Sequence, residues 1–125
     1  MEVVKRRASK REEVINRAKE FAASLTGKFS VFLVGSYARG DFNAWSDVDL
    51  VVIGEFRGSP LKRIQAIEAP PGFEVIPLTP GEALAAARKK NPLIQELVEK
   101  GVVLRDDLGI QAKLREDLHA RATRA

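Results

Sequence analysis

The chain contains no cysteine and only one histidine, His119, among its 125 residues. The absence of cysteine excludes disulfides, thiolate metal ligands and thiol catalysis. Any bound metal would have to be held by oxygen ligands, which favours a hard ion such as Mg²⁺ or Mn²⁺. His119 lies among charged residues near the C-terminus, and we interpret it as a solvated side chain rather than a ligand or a base.

Long apolar runs are also absent. No stretch approaches the roughly 18 apolar residues that span a bilayer, and no signal-type apolar run follows the basic N-terminus. We therefore expect a cytoplasmic location without membrane contact. With 45% hydrophobic and 30% charged residues, the chain suits a single domain over residues 1–125, in which 1–8 and 120–125 are candidates for disordered tails.

Positive charge exceeds negative charge, giving a formal net charge of +4 and a pI near 9.6. This balance is compatible with polyanionic partners such as nucleotides or RNA. The basic residues gather at the two ends, 5–11 and 115–124, where solvated helix faces are the simpler explanation. Aromatic residues are too few to predict the clusters that usually stack on bases, so nucleic acid is the minority interpretation.

The hydrophobic pattern alternates amphipathic helices with short apolar strands. Ser9 and Glu12 have the form of a capping box for a first helix that ends before Gly27, and Thr79 and Asn91 are predicted caps of two later helices. The apolar runs that predict strands lie at 29–34, 48–53, 73–78 and 102–104. The order α-β-α-β-(α)-β-α-α-β-α predicts an α/β (α+β) fold, a mixed sheet of about four strands with flanking helices.

Gly35 and Ser36 follow the first apolar strand and precede a stretch that could open a short helix closed by Gly40. Such a strand-to-helix corner points free backbone N–H groups and the Ser36 hydroxyl outward, where they can bind phosphate oxygens. Gly35 leaves room for the ligand to approach. Taken alone, Gly-Ser after a strand is more often a structural turn.

Asp47 and Asp49 open the second predicted strand. Residues two apart share one face of a strand, so the two carboxylates would project side by side, about 6.5 Å apart along the backbone. They could bind one divalent ion jointly and support a second. Two neighbouring negative charges repel, so the arrangement is unfavourable without cations. An isolated Asp-x-Asp remains a weak signal, because acids are frequent at strand ends.

The two motifs are separated by ten residues, and their occurrence together is a more specific signal of function than either motif alone. Gly-Ser-Tyr-Ala-Arg-Gly-Asp at 35–41, followed by Ser-Asp-Val-Asp-Leu at 46–50, resembles the signature of the minimal nucleotidyltransferases, within the DNA polymerase beta-like nucleotidyltransferase superfamily. The segment 91–105 is similar to that family's C-terminal segment. The resemblance implies a nucleotidyltransferase fold. It also implies Mg²⁺-dependent transfer of a nucleoside monophosphate from a nucleoside triphosphate, with ATP favoured, to a hydroxyl acceptor.

The resemblance also implies roles for individual residues. Asp47 and Asp49 would be catalytic and would bind two Mg²⁺ or Mn²⁺ ions, while the Gly35-Ser36 corner would hold the β- and γ-phosphates. A third carboxylate is expected on a neighbouring strand, usually from an aspartate. Glu74, an acid in an otherwise apolar strand, is the candidate for this third ligand and for the base. The alternative is an edge-strand acid that faces water.

Two further residues have open interpretations. Arg39 would either neutralise phosphate charge or form a surface salt bridge. Trp45 lies in the loop between the two motif halves, where it would pack against the domain or mark a partner surface, with stacking on a base as the minority alternative.

Minimal members of the family are commonly encoded beside a helical HEPN-type protein. The resemblance therefore implies a toxin–antitoxin pair in which this chain nucleotidylates its partner, with the acceptor site supplied by that partner or by a second copy of this chain. The alternative is a catalytically weak or inactive module of the same fold, an antitoxin that acts by protein contact. Glu74 in place of the usual aspartate keeps this alternative open.

Overall fold

The computed structural model describes the backbone of residues 2–120 and the side chains of residues 5–120. Helices and strands follow one another in the predicted order. They are α1 (Glu2–Ser24), β1 (Ser30–Val34), α2 (Gly35–Arg39), β2 (Val48–Ile53), α3 (Pro60–Gln65), β3 (Phe73–Leu78), α4 (Pro80–Arg88), α5 (Pro92–Lys100), β4 (Val102–Asp106) and α6 (Ile110–His119). Among the described residues, no helix is both long and apolar enough to cross a membrane.

The four strands form one mixed sheet in the order β3-β2-β1-β4. β1 runs antiparallel to both of its neighbours, β2 and β4, whereas β2 and β3 are parallel. The parallel pair requires a crossover, and the segment containing α3 supplies it. A mixed four-stranded sheet with flanking helices confirms the predicted fold class.

The sheet separates two layers of buried side chains, because successive residues of a strand point to opposite faces. On one face α1 packs over alternate residues of β1 and β2, and on the other face α4, α5 and α6 pack over the intervening ones. The strand residues under α1 include Val31, Leu33, Leu50 and Val52, and those under the other three helices are Phe32, Val34, Val51 and Ile53. Burial on both faces explains why these two strands read as continuous apolar runs.

The first helix begins earlier than predicted. α1 starts at Glu2, so the interpretation of Ser9 as its cap is wrong, and residues 2–8, expected as a candidate tail, are its first turns. Good helix formers precede Ser9, and the Arg7 side chain donates a hydrogen bond to the carbonyl of Phe42, which gives these turns a tertiary contact. At the other end Ala120 follows α6, and residues 121–125 lie outside the described part of the chain.

The later helix starts agree with the sequence. Thr79 and Glu82 form the reciprocal capping box of α4, and the Asn91 side chain accepts from the Leu93 N–H at the start of α5. Both helices carry proline in their first turn, where the missing N–H costs no hydrogen bond. These local signals therefore place two of the three helices on the second face of the sheet.

Candidate active site

The corner at Gly35 joins β1 directly to the five-residue helix α2. Gly35 has φ +76° and Gly40 has φ +94°, both in the left-handed region that favours glycine. The Gly40 N–H donates to the Ser36 carbonyl at 2.8 Å, which ends α2. No hydrogen bond to the described residues occupies the Ser36 hydroxyl, so this hydroxyl is available to a ligand.

Asp49 lies directly against this corner. Val34 and Asp49 are register partners of β1 and β2, so the first residue of α2 follows immediately beside the carboxylate. A Cβ atom built on Gly35 would lie 2.4 Å from Asp49 Oδ2, closer than real Cβ atoms approach. The absence of a side chain at Gly35 therefore makes room for the Asp49 carboxylate.

The predicted acids lie at one end of the sheet. Asp49 and Glu74 are register partners on the parallel strands β2 and β3, and the Glu74 carboxylate is close enough to raise the pKa of Asp49. Asp47, two residues before Asp49, is close enough to act on its charge. Asp49 is half-buried, while Asp47 and Glu74 are exposed. The structure thus places Glu74 beside Asp49, at the open edge strand of the sheet.

The local environment disfavours the charged form of Asp49. Partial burial raises the pKa of Asp49 to about 6, and the neighbouring carboxylates of Glu74, Asp47 and Glu96 add to the increase. The protein itself therefore supplies too little positive charge at this point to balance its acids. A bound cation would relieve this repulsion.

The donor chemistry of the site suits a hard divalent cation. Its donors are carboxylate oxygens, the ligands that Mg²⁺ and Mn²⁺ prefer, and the raised Asp49 pKa indicates excess negative charge. Within residues 5–120, no group of three or more histidine, cysteine, aspartate or glutamate side chains is arranged to hold a metal ion. The chemistry of the acids therefore fits a metal, while a complete set of ligands is not formed in this structure.

A fourth acid, Glu96 of α5, enters the site and was missed by the sequence analysis. Its Oε2 accepts a hydrogen bond from the Gly35 N–H at 2.9 Å, and its Oε1 lies 2.6 Å from Arg39 Nη1. In sequence Glu96 resembles Glu99 of the same helix, so no local signal separates the two. Only the packing of α5 against the corner brings Glu96 to the Gly35 N–H.

Arg39 and Trp45 both lie at the surface. Arg39 pairs with Glu96 and, at 3.2 Å, with Asp41, so the salt bridge that was one of its two interpretations is present. Trp45 is 90% exposed, and the expectation that it packs against the domain is wrong. The neighbouring Tyr37 is buried and stacks on Phe42 with ring centroids 4.3 Å apart.

Several solved structures share this fold. A candidate nucleotidyltransferase from Sulfolobus solfataricus aligns with a TM-score of 0.55 and 21% identity, over 78% of this chain and 84% of its own. A toxin–antitoxin structure with AMP-PNP aligns with a TM-score of 0.54 and 17% identity, over 83% of this chain and 82% of its own. No curated protein matches the sequence.

The sequence itself identifies the family. The model of the nucleotidyltransferase domain matches residues 15–124, a range that includes the corner, both aspartates, Glu74 and Glu96. The chain therefore belongs to the nucleotidyltransferase domain family, which confirms the resemblance drawn from residues 35–50.

Proposed function

We propose that this chain transfers a nucleoside monophosphate from a nucleoside triphosphate, with ATP as the first candidate, to a hydroxyl acceptor. One observation carries the proposal. The strand-to-helix corner at Gly35 and the Asp49–Glu74 carboxyl pair meet at contact distance at one end of the sheet, in a chain of the nucleotidyltransferase domain family.

The corner would hold the β- and γ-phosphates. The Gly35 N–H and the Arg39 guanidinium already bind an anion, the Glu96 carboxylate. Carboxylate and phosphate oxygens are acceptors of the same kind for such donors. The Ser36 hydroxyl adds a third donor beside them. Because Glu96 and a triphosphate are both negative, the nucleotide has to displace Glu96 from these donors.

The acids would act on the reacting groups. Asp47, Asp49 and Glu74 would hold one or two Mg²⁺ or Mn²⁺ ions, which supply positive charge for the triphosphate and the leaving pyrophosphate. Glu74, exposed at the edge strand, accepts the proton of the acceptor hydroxyl. The acceptor oxygen then bonds to the α-phosphorus as the bond to pyrophosphate breaks.

A protein partner would supply the acceptor. One structural neighbour is a toxin–antitoxin structure with AMP-PNP, which favours both an adenine nucleotide and a protein partner here. The family resemblance points to a HEPN-type helical protein, with a homo-oligomer of this chain as the alternative. In either case an acceptor hydroxyl would approach the exposed acids at the sheet edge.

A second candidate function is a non-catalytic antitoxin that neutralises its partner by contact. It is favoured by glutamate in place of the usual third aspartate and by the incomplete metal-ligand set among the described residues. The intact pair of aspartates beside Gly35 argues for the catalytic function, because a contact surface has no need of acids that repel one another.

The decisive experiment incubates the chain with each of four labelled nucleoside triphosphates, Mg²⁺ and the protein encoded beside it. We expect Mg²⁺-dependent label transfer by the wild type and loss of transfer in Asp47→Asn/Asp49→Asn. The matched control, Glu13→Gln/Glu99→Gln, removes two exposed acids elsewhere and should transfer normally. Absence of both label transfer and metal-dependent nucleotide binding would contradict the enzyme proposal. Full neutralisation of the partner by the double aspartate variant would favour the contact function.

A further inference from the structure

A groove of about 620 Å³ lies on the α1 side of the sheet, and Glu96 is not among its lining residues. One wall is α1, which contributes Arg6, Arg7, Lys10 and Arg17, and the other wall is formed by the loops that precede β2 and β3. Among the described residues, no acidic side chain lines this groove. It is therefore a strongly cationic surface, and none of the residues of the proposed nucleotide site lines it.

The cations of this groove form a row along one helix. From Arg6 to Arg17, α1 rises about 16 Å at 1.5 Å per residue, so the charges are spread along a line rather than gathered at one point. The Arg7 guanidinium lies 4.9 Å from the Phe42 ring centroid, and that of Arg17 lies 5.1 Å from the Phe73 ring centroid. These contacts orient the two guanidiniums, which carry five N–H donors each and retain some for a ligand.

An exposed aromatic side chain stands beside the groove. Ala44 and Ser46 line the groove, and Trp45 between them is 90% exposed. Both faces of this ring are therefore open to solvent and free to stack on a flat aromatic group. Rows of cations next to an aromatic platform are the surface chemistry that binds single-stranded nucleic acid, through phosphates and stacked bases respectively.

We propose that this groove binds single-stranded RNA, with phosphates along the α1 cations and a base stacked on Trp45. An acidic peptide would satisfy the cations but would leave the Trp45 ring without a flat aromatic partner. The neutral wall includes Asn43. Its side-chain oxygen accepts hydrogen bonds from the Trp45 N–H and the Ser46 hydroxyl, and its amide N–H groups remain for a ribose 2′-hydroxyl, which favours RNA over DNA. The binding stands independently of nucleotidyl transfer.

The charge contribution is tested by titrating a labelled 12-nucleotide single-stranded RNA with the full chain. Lys10→Gln/Arg17→Gln should weaken binding at least tenfold at low salt. It should also reduce the slope of log K against log salt by about 1.4, since each phosphate contact on a single strand contributes about 0.7. The control Lys19→Gln/Lys113→Gln removes the same charge from exposed positions outside the groove and should bind within twofold of wild type. Thermal melting checks that all variants fold.

The aromatic contribution has its own readout, because Trp45 is the only tryptophan in the chain. RNA should quench the intrinsic tryptophan fluorescence, and Trp45→Ala should weaken binding about tenfold. DNA of the same sequence should bind several-fold more weakly. The proposal is overturned by an absence of RNA binding at low salt, by equal effects of the groove and control variants, or by tighter binding of polyglutamate than of RNA. Equal affinity for DNA and RNA would contradict the proposed contact with the ribose 2′-hydroxyl.

Discussion

At the residue scale, Gly35 meets two requirements at once. Its φ of +76° is in the left-handed region, and its missing side chain leaves space for Asp49. Gly81 in α4 differs on both counts, since its φ is not positive and nothing lies within 4 Å of a Cβ built there. A comparison of substitutions at these two glycines therefore distinguishes the general effect of replacing a glycine from the specific role of Gly35 at the site.

Substitution of Gly35 by alanine should destabilise the fold. The left-handed conformation costs an L-residue about 1–2 kcal/mol, and the new methyl group would displace the Asp49 carboxylate. Gly81→Ala should be neutral or stabilising by up to about 1 kcal/mol, because alanine favours the helix. Urea unfolding of both variants checks this. Equal stabilities of the two variants would show that the corner tolerates a side chain.

The raised pKa of Asp49 gives a pH dependence with a definite sign. The folded carboxyl, with a pKa of about 6, holds its proton more tightly than the unfolded one, so its contribution to stability is lost as pH rises through about 6. Asp49→Asn should therefore be more stable than wild type at pH 8, by about 1 kcal/mol after allowing for solvent screening. The difference should shrink towards pH 4. Melting curves with a chelator present measure it, and a less stable variant at pH 8 would contradict the cause assigned to the shift.

Glu96 should compete with the nucleotide for the corner. Glu96→Gln removes the negative charge that binds the Gly35 N–H and Arg39, so ATP with Mg²⁺ should bind about tenfold more tightly than to wild type, as measured by calorimetry. Glu99→Gln, one turn along the same helix and exposed, is the matched control and should bind like wild type. If Glu96→Gln bound ATP more weakly than wild type, Glu96 would instead contribute to nucleotide binding.

At the element scale, the Arg105 side chain of β4 makes hydrogen bonds to the end of α1. The Arg105 guanidinium donates to the carbonyls of Ala22 and Leu25 at 2.6 and 2.9 Å, and to that of Gly27. These carbonyls lie at the end of α1 and just beyond it, where helical partners run out. Arg105 therefore ties the C-terminal end of the groove-forming helix to the sheet.

Loss of this guanidinium should be costly. Arg105→Met keeps much of the aliphatic length but leaves three carbonyls without their donor, and we expect about 1.5–3 kcal/mol of destabilisation. Arg88→Met serves as the control, because Arg88 makes a single surface ion pair with Asp117 and such pairs contribute less than about 1 kcal/mol. Chemical denaturation compares the two. If Arg105→Met destabilised the protein no more than the control does, Arg105 would not stabilise the end of α1.

At the scale of the whole molecule, one sheet serves two cores. Leu33 faces α1 and Leu114 of α6 packs on the opposite face, and both are fully buried. Because the same strands line both layers, neither layer can lose its packing while the sheet stays intact. The whole domain should therefore unfold as one cooperative unit. The proposed nucleotide site and the cationic groove lie on opposite faces of its sheet.

Cavities on either face should lower one common unfolding transition. Leu33→Ala and Leu114→Ala should each cost about 2–5 kcal/mol and retain a single transition by circular dichroism and by calorimetry. Leu61→Ala, at a position 65% exposed, should change stability by less than about 0.5 kcal/mol. Two separated transitions in either core variant would show that the layers unfold independently.

Much of this molecule was determined by the sequence alone. Apolar runs gave β2 and β3 their bounds, Thr79 and Asn91 placed the starts of two helices, and the spacing of the Gly-Ser and Asp-x-Asp motifs indicated the family. Each of these signals is local, since it depends on residues within a few positions of one another. The predicted start of α1 was wrong because the helix-forming residues before Ser9 outweighed the local capping signal.

Only the tertiary structure decided what surrounds the motifs. Parallel pairing of β2 with β3 placed Glu74 beside Asp49, and the packing of α5 brought Glu96 to the Gly35 N–H, although no pattern distinguished it from Glu99. The exposure of Trp45 next to a row of cations likewise gave new weight to nucleic acid, which composition had made the minority interpretation. These contacts join residues far apart in the chain, and their distances are set by how the helices pack on the sheet, which local sequence does not encode.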